Sequence, residues 1–289
     1  MHIEEPLPES APLARQLALR WCRPDPQTGE NCAWYHGFWQ YLRLLKLVTT
    51  PEHHAAFYRS ALGEAARLPG ARRVLVAGAA DYGMLAHVIA AFREQGNEPQ
   101  VTVNDLCETP LRLNQWYAHR VGSDLSVCRC DTLQYAEERP FDVVCTHSFL
   151  GRFPPARRLD LTRKWYRLLR PGGLAVTVKR IRPGSGTELS GFTSEQAEAF
   201  RDKVRAAARS LSTPGIAPED LAENARVYAD RNSTWPLRSR EEIVELFERA
   251  SFRVDRLDCT PVASASSVGA SGPTALGGAE YVQIVATRV

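Results

Sequence analysis

No run of eighteen apolar residues occurs in the chain, so the sequence offers no helix able to span a membrane. The opening residues Met1-His2-Ile3-Glu4-Glu5-Pro6 lack the basic and apolar regions of a secretory signal; a cytoplasmic location without a membrane partner is expected. An excess of one charge is missing too. Among 289 residues, 36 lysines and arginines meet 33 acids for a net charge of +3, too balanced for the positive field of a nucleic-acid binder. There are seven cysteines but no Cys-x-x-Cys pair. Cys128 and Cys130 share one face of a strand with no second pair at metal spacing, so reduced structural thiols and no metal are expected. A complete Gly-x-Gly-x-x-Gly string is also lacking, which weakens any reading as an ordinary dinucleotide site.

What is present is a rhythm. Val74-Leu75-Val76-Ala77 is an apolar strand that ends in the turn Gly78-Ala79-Ala80-Asp81-Tyr82-Gly83. Val101-Thr102-Val103-Asn104 is a second strand, with an acid, Asp105, at its carboxyl end. Further short apolar runs follow at 125–129, 141–146 and 174–178, the last announced by Arg170-Pro171-Gly172-Gly173. The run Phe141-Asp142-Val143-Val144-Cys145-Thr146 is of the kind expected for a strand buried on both faces. Helical patterns at 84–93, 110–120 and 155–169 separate the strands, so right-handed crossovers and a parallel sheet are expected. Runs at 252–259 and 281–287 with no helix between them predict an antiparallel hairpin at one edge. An acid after the second strand can accept hydrogen bonds from ribose hydroxyls. If the strand alternates faces, only one of Asn104 and Asp105 can do so, and Asp105 is chosen.

In these residues and their order, 71–289 resembles the class I S-adenosylmethionine-dependent methyltransferases. The resemblance implies an α/β, Rossmann-like three-layer sandwich with a seven-stranded, mostly parallel sheet and a C-terminal antiparallel hairpin. It implies S-adenosyl-L-methionine as cofactor, held by Gly78, Ala79, Ala80, Asp81 and Tyr82 of the turn, by Asp105 and Leu106, by Asp131 and Thr132 after the third strand, and by Thr146 and His147 after the fourth. Relatives usually carry an acid in or just before the glycine turn. Here the strand is apolar through Ala77 and the acid comes late, at Asp81, so the methionine amino group is expected to be met differently.

The acceptor is sought in three segments outside the shared core. Residues 1–70 form an expected helical lid on a core of 71–289, with a helical insertion at about 181–240. The helix from Trp34 to about Val48 bears aromatics on nearly all sides, so more than one of its faces must be covered: by a neighbouring helix, by the second subunit of a homodimer, or by ligand. Tyr35, His36 and Trp39 are candidates to face a sulfonium cation. In the insertion, helical at 194–210 and 218–230, Arg180, Arg182, Tyr228 and Arg231 are candidates to meet an acidic or phenolic small molecule, and Phe149 joins them from the fourth strand's end. Residues 261–278, rich in Ser, Ala and Gly, have the composition of a flexible loop starting on the ligand face.

Methyl transfer needs in-line positioning and exclusion of water; a base is needed only when the acceptor must lose a proton. His147 is the candidate base, with His36, His53 and His54 behind it, while His87 and His119 are read as structural. The expected activity is O- or N-methylation of a small molecule. The alternative on the same scaffold is a non-methylating enzyme that consumes S-adenosylmethionine by cyclisation or lysis, releasing methylthioadenosine. An RNA or protein methyltransferase is disfavoured by the charge balance and by Thr146-His147-Ser148-Phe149 standing where an Asn-Pro-Pro-Tyr-type string would be.

Overall fold

The computed structural model describes residues 3–24, 29–184, 186–261 and 280–289. Two helices, α1 (Leu7–Trp21) and α2 (Ala33–Leu44), precede a 3-10 turn at Pro51–His54 and α3 (Ala55–Arg67). The alternating core follows: β1 (Arg73–Ala77), α4 (Gly83–Glu94), β2 (Gln100–Asp105), α5 (Glu108–Arg120), β3 (Leu125–Arg129), β4 (Phe141–His147), α6 (Pro155–Leu168) and β5 (Leu169–Ile181). Helices α7 (Ser194–Ser210), α8 (Pro218–Arg231) and α9 (Arg240–Arg249) then lead into β6 (Phe252–Pro261) and β7 (Glu280–Arg288).

The seven strands run in the order β3-β2-β1-β4-β5-β7-β6. β1 to β5 are parallel, while β7 is antiparallel to both β5 and β6, as the two closing apolar runs predicted. The sheet buries one face under α3, α4 and α5 and the other under α6 and α9, forming two apolar layers. β4 lies between them, buried along six of its seven residues, which is why its sequence carries no alternation. The order reverses between β1 and β4. At such a switch point the strands' carboxyl ends part and leave a crevice.

A third apolar cluster roofs that end. Phe38, Tyr41 and Leu42 of α2 meet Phe200 and Val204 of α7 and Leu221 and Tyr228 of α8. The second face of the aromatic helix is thus covered from within the chain, by the insertion. The Tyr41 hydroxyl donates to the Pro214 carbonyl at 2.8 Å, fastening the two segments together. Among the described residues no helix is long and apolar enough to cross a membrane.

Two boundaries differ from expectation. Helix α2 stops at Leu44 instead of about Val48, because Lys46 takes a left-handed φ of 56°. Its N–H reaches the Arg43 carbonyl at 2.9 Å and that of Leu47 reaches Leu42 at 2.8 Å, a closure that ends helices. Thr50 and His53 cap the turn that separates α2 from α3. β5 starts at Leu169, five residues before its apolar run. Leu169 pairs with Phe141, and the pairing resumes at Val143 with Leu174 after Pro171-Gly172-Gly173 loop out, with Gly172 at φ 75°. The Ser/Ala/Gly loop predicted at 261–278 lies, beyond Pro261, outside the described residues.

Candidate active site

A cavity of about 380 Å³ opens at the switch point, within the roughly 300–1,000 Å³ usual for small-molecule sites. Its floor is the carboxyl ends of β1, β2, β4 and β5, and its roof is α2 and α8.

The glycine turn forms one wall. Gly78 has φ 71°, and a Cβ there would strike the ring of Phe149, so only glycine lets the turn lie against the loop after β4. Asp105 braces this turn from β2, its Oδ2 accepting the Ala79 N–H at 3.0 Å and its Oδ1 that of Cys107 at 2.8 Å. Burial pushes the Asp105 carboxyl above its ordinary range, opposed by the nearby His36 and by the two N–H donors. Asp81 is fully engaged by the chain itself. Its oxygens accept the Gly83 N–H at 2.5 Å and the Trp39 indole N–H at 2.6 Å, and Arg43 pairs with it at 3.1 Å. The late acid therefore anchors α2 over the turn.

An aromatic wall faces the turn. Tyr35 stacks between Trp39, at 5.4 Å between ring centroids, and Tyr228, at 6.0 Å, joining α2 to α8. Arg152 lies over the Tyr35 ring at 5.2 Å.

His147 closes the floor at the end of β4. Its Nδ1 is 2.9 Å from the Tyr58 hydroxyl, which also donates to the Thr146 carbonyl at 3.2 Å. Tyr58 has a single proton and a carbonyl can only accept it, so this network assigns the Nδ1–H of His147 as donor to Tyr58 and leaves the lone pair on Nε2. Nε2 has no partner among the described residues. Burial, with His54, His87 and Lys179 nearby, holds the imidazole well below its usual range, so it is neutral at pH 7.

His54 and His87 flank this group, each lowered to about 4 chiefly by burial. Unfolded, both would titrate near ~6.5, so a depressed folded value makes stability full above that pH and lost as pH falls toward 4. For the more deeply buried His87 the loss approaches roughly 3 kcal/mol at pH 4. Glu52, 3.5 Å from its Nε2 but half exposed, recovers only part of that through water. The thermal midpoint is expected to drop between pH 6.5 and 4, and to drop less in His87→Gln; parallel declines would remove His87 from the account.

β5 ends in Lys179-Arg180-Ile181 with Arg182 next, and all three cations line the cavity while nearly buried. Burial lowers all three, Lys179 well below its usual range and Arg182 to about 10. Arg180 Nε and Nη2 and Arg182 Nη1 are buried without a partner among the described residues.

A family model described as a methyltransferase domain matches residues 81–177, from the glycine turn into β5. Residues 81–177 thus match a methyltransferase domain, set in the Rossmann-like α/β fold expected of one. Geranyl diphosphate methyltransferase, solved with S-adenosylmethionine, shares the fold at 16% identity and a TM-score of 0.51, with 92% of this chain and 93% of that one covered. N-methyltransferase NodS from Bradyrhizobium japonicum, solved with S-adenosylhomocysteine, aligns at 14% identity and a TM-score of 0.49, covering 86% of this chain and 97% of its own. Magnesium protoporphyrin IX methyltransferase from Synechocystis aligns at 14% and 0.48, covering 87% and 88%. No curated protein sequence matches the chain.

Within the cavity the structure brings together Gly78, Ala79, Ala80, Asp81, Asp105, His147 and Phe149 with Tyr35, Trp39, Arg180 and Tyr228. The other expected cofactor contacts do not line it. Tyr82 turns into the core beneath α4, stacked on Tyr117 at 4.5 Å and hydrogen-bonded to Ser10 at 3.1 Å. Thr146 is buried on the opposite side of β4 from His147, as alternation along a strand requires. Asp131 and Thr132 lie outside the cavity: Asp131 accepts the Leu133 N–H at 2.9 Å, and Thr132 donates to Asn104 at 2.6 Å, while Asn104 points at the end of β3. Leu106 stands outside the cavity, 69% exposed. Of the other histidines, His53 caps the turn before α3 and His119 is exposed on α5. Lys179 escaped the sequence reading, although a cation ending an apolar strand on the ligand side was a signal for it. Arg231 does not line the cavity.

Proposed function

We propose that this methyltransferase carries a methyl group from S-adenosylmethionine to a small anionic acceptor enclosed between the sheet and its helical roof. The observation that carries this reading is the buried cationic floor. Arg180 and Arg182 line a cavity where an isolated charge is costly and carry buried N–H groups with no partner among the described residues, and a carboxylate or phosphate on the acceptor would offset that cost. Residues 1–70 and the insertion at about 181–240 act together as the roof, while 71–289 supplies the core.

The residues present suit the cofactor. Each Asp105 oxygen takes one backbone bond and keeps acceptor capacity for a ribose hydroxyl. Leu106, exposed beside it, offers an apolar face at the open end for the adenine, with Asp131 nearby at the end of β3. The Tyr35–Trp39–Tyr228 wall supplies aromatic faces to a cationic centre. Bound S-adenosylmethionine supplies a methyl group on a positively charged sulfur. The chain's own part is to hold the acceptor in line with it, to keep water out beneath α2 and α8, and to take the hydroxyl or ammonium proton at Nε2 of His147.

Arg180→Gln is expected to raise KM for an acidic acceptor about 10- to 100-fold, the scale of one lost charged hydrogen bond, with affinity for S-adenosylhomocysteine unchanged. Acceptors found by screening acids against their methyl esters supply the assay. An equal loss of S-adenosylhomocysteine affinity would assign the arginine to the methionine carboxylate instead and overturn the anionic-acceptor reading. Methylthioadenosine released from S-adenosylmethionine alone would replace methyl transfer with the intramolecular chemistry.

A further inference from the structure

Four side chains far apart in sequence meet between the roof and the ribose-side loop. Cys22 follows the last turn of α1, Cys32 stands immediately before α2, His36 lies one turn into α2, and Cys107 stands immediately before α5, two residues after Asp105. One ligand atom from each lies within 4.8 Å of all the others. Cys22 Sγ is 3.6 Å from His36 Nδ1 and 3.6 Å from Cys107 Sγ, and Cys32 Sγ is 3.5 Å from Cys107 Sγ.

We propose that Cys22, Cys32, His36 and Cys107 bind a zinc ion in a closed Cys3His site. Tetrahedral zinc with Zn–S bonds of ~2.3 Å and a Zn–N bond of ~2.0–2.1 Å sets its sulfurs ~3.8 Å apart and a sulfur and nitrogen ~3.5 Å apart. These three separations match this to within a few tenths of an ångström, and every remaining pair lies within 4.8 Å, before any ion draws the ligands in. An iron–sulfur cluster would place several atoms between the thiolates and hold them farther apart.

The surroundings suit thiolates. Cys32 and Cys107 each occupy the N-terminal end of a helix, where the dipole favours negative charge. The Thr109 hydroxyl lies 3.1 Å from Cys22 Sγ, an outer hydrogen bond of the kind that orients a metal ligand. Cys32 and His36 are four apart, so one helical turn presents both to the same point. With four protein ligands no position is left open for substrate, so the ion's role is structural. It would pin the end of α1 and the start of α2 to the loop that carries Asp105. The site stands independently of the acceptor reading.

Elemental analysis of the full chain, purified without a metal-affinity step or chelator, is expected to give close to one zinc per chain. Cys32→Ser and Cys107→Ser should each lose most of it, and Cys145→Ser, a buried thiol in β4, should keep it. The wild-type protein supplies a reading that needs no variant. Stripped under reducing conditions and titrated with Co2+, it should develop thiolate charge-transfer and tetrahedral ligand-field bands that saturate at one equivalent and are bleached by zinc. Zinc-free protein with no cobalt spectrum, a disulfide among these cysteines in freshly isolated protein, or an iron–sulfur chromophore would each overturn the proposal.

Discussion

Replacing His147 by alanine is expected to lower turnover by about 10²- to 10⁴-fold, the usual contribution of a positioned acid or base. The same variant should bind S-adenosylhomocysteine within a few-fold of wild type. The expectation rests on Tyr58. With its proton on the Thr146 carbonyl, Tyr58 accepts from Nδ1 of the imidazole, which leaves Nε2 without a partner among the described residues. A neutral histidine at pH 7 is free to accept a proton, and the burial that keeps it neutral also makes it a weaker base than a solvated imidazole. Tyr58→Phe tests the relay, since without the hydroxyl the tautomer is no longer fixed and turnover should fall while the pH profile moves. His147→Ala at wild-type turnover would leave positioning alone to explain the rate. A loss confined to cofactor affinity would place His147 among the binding residues.

The largest loss of stability is expected at Arg43. Its side chain is 2% exposed and is paired with Asp81 at 3.1 Å and with Glu5, while its guanidinium lies 5.3 Å from the Tyr82 ring centroid. Arg43→Met should cost about 3–5 kcal/mol, because Asp81 would then be buried without a cation. Urea unfolding measures this directly. Adding Asp81→Asn removes the stranded charge and should recover part of the loss. A cost below about 1 kcal/mol would mean that the pair is solvated like a surface bridge.

The sheet was legible because its strands are short apolar runs broken by turns, and β4, apolar on both faces, stands out without any alternation. Asp105 and His147 were legible for the same reason: each closes a strand on the side where ligands collect. Tyr82 was not. It sits one residue before α4, and which way a turn residue faces depends on what the helix covers, here Tyr117 of α5. The four-ligand cluster was hidden by distance in sequence. Only Cys32 and His36 share an element, and Cys107 joins them solely because α1 and α2 fold back onto the end of β2. The cationic floor lay in plain view at 179–182, yet charges at a strand end commonly point to water. Their burial is a property of the roof.

That roof has two halves made far apart in time. Phe38 and Tyr41 emerge before the sheet, but Phe200, Pro214 and Tyr228, which cover them, emerge only after its whole parallel part. Until α7 and α8 leave the ribosome the part of α2 that they cover has only α1 beside it, and the growing chain presents that part to solvent or to chaperones. The cavity is therefore among the last features of the molecule to come into being.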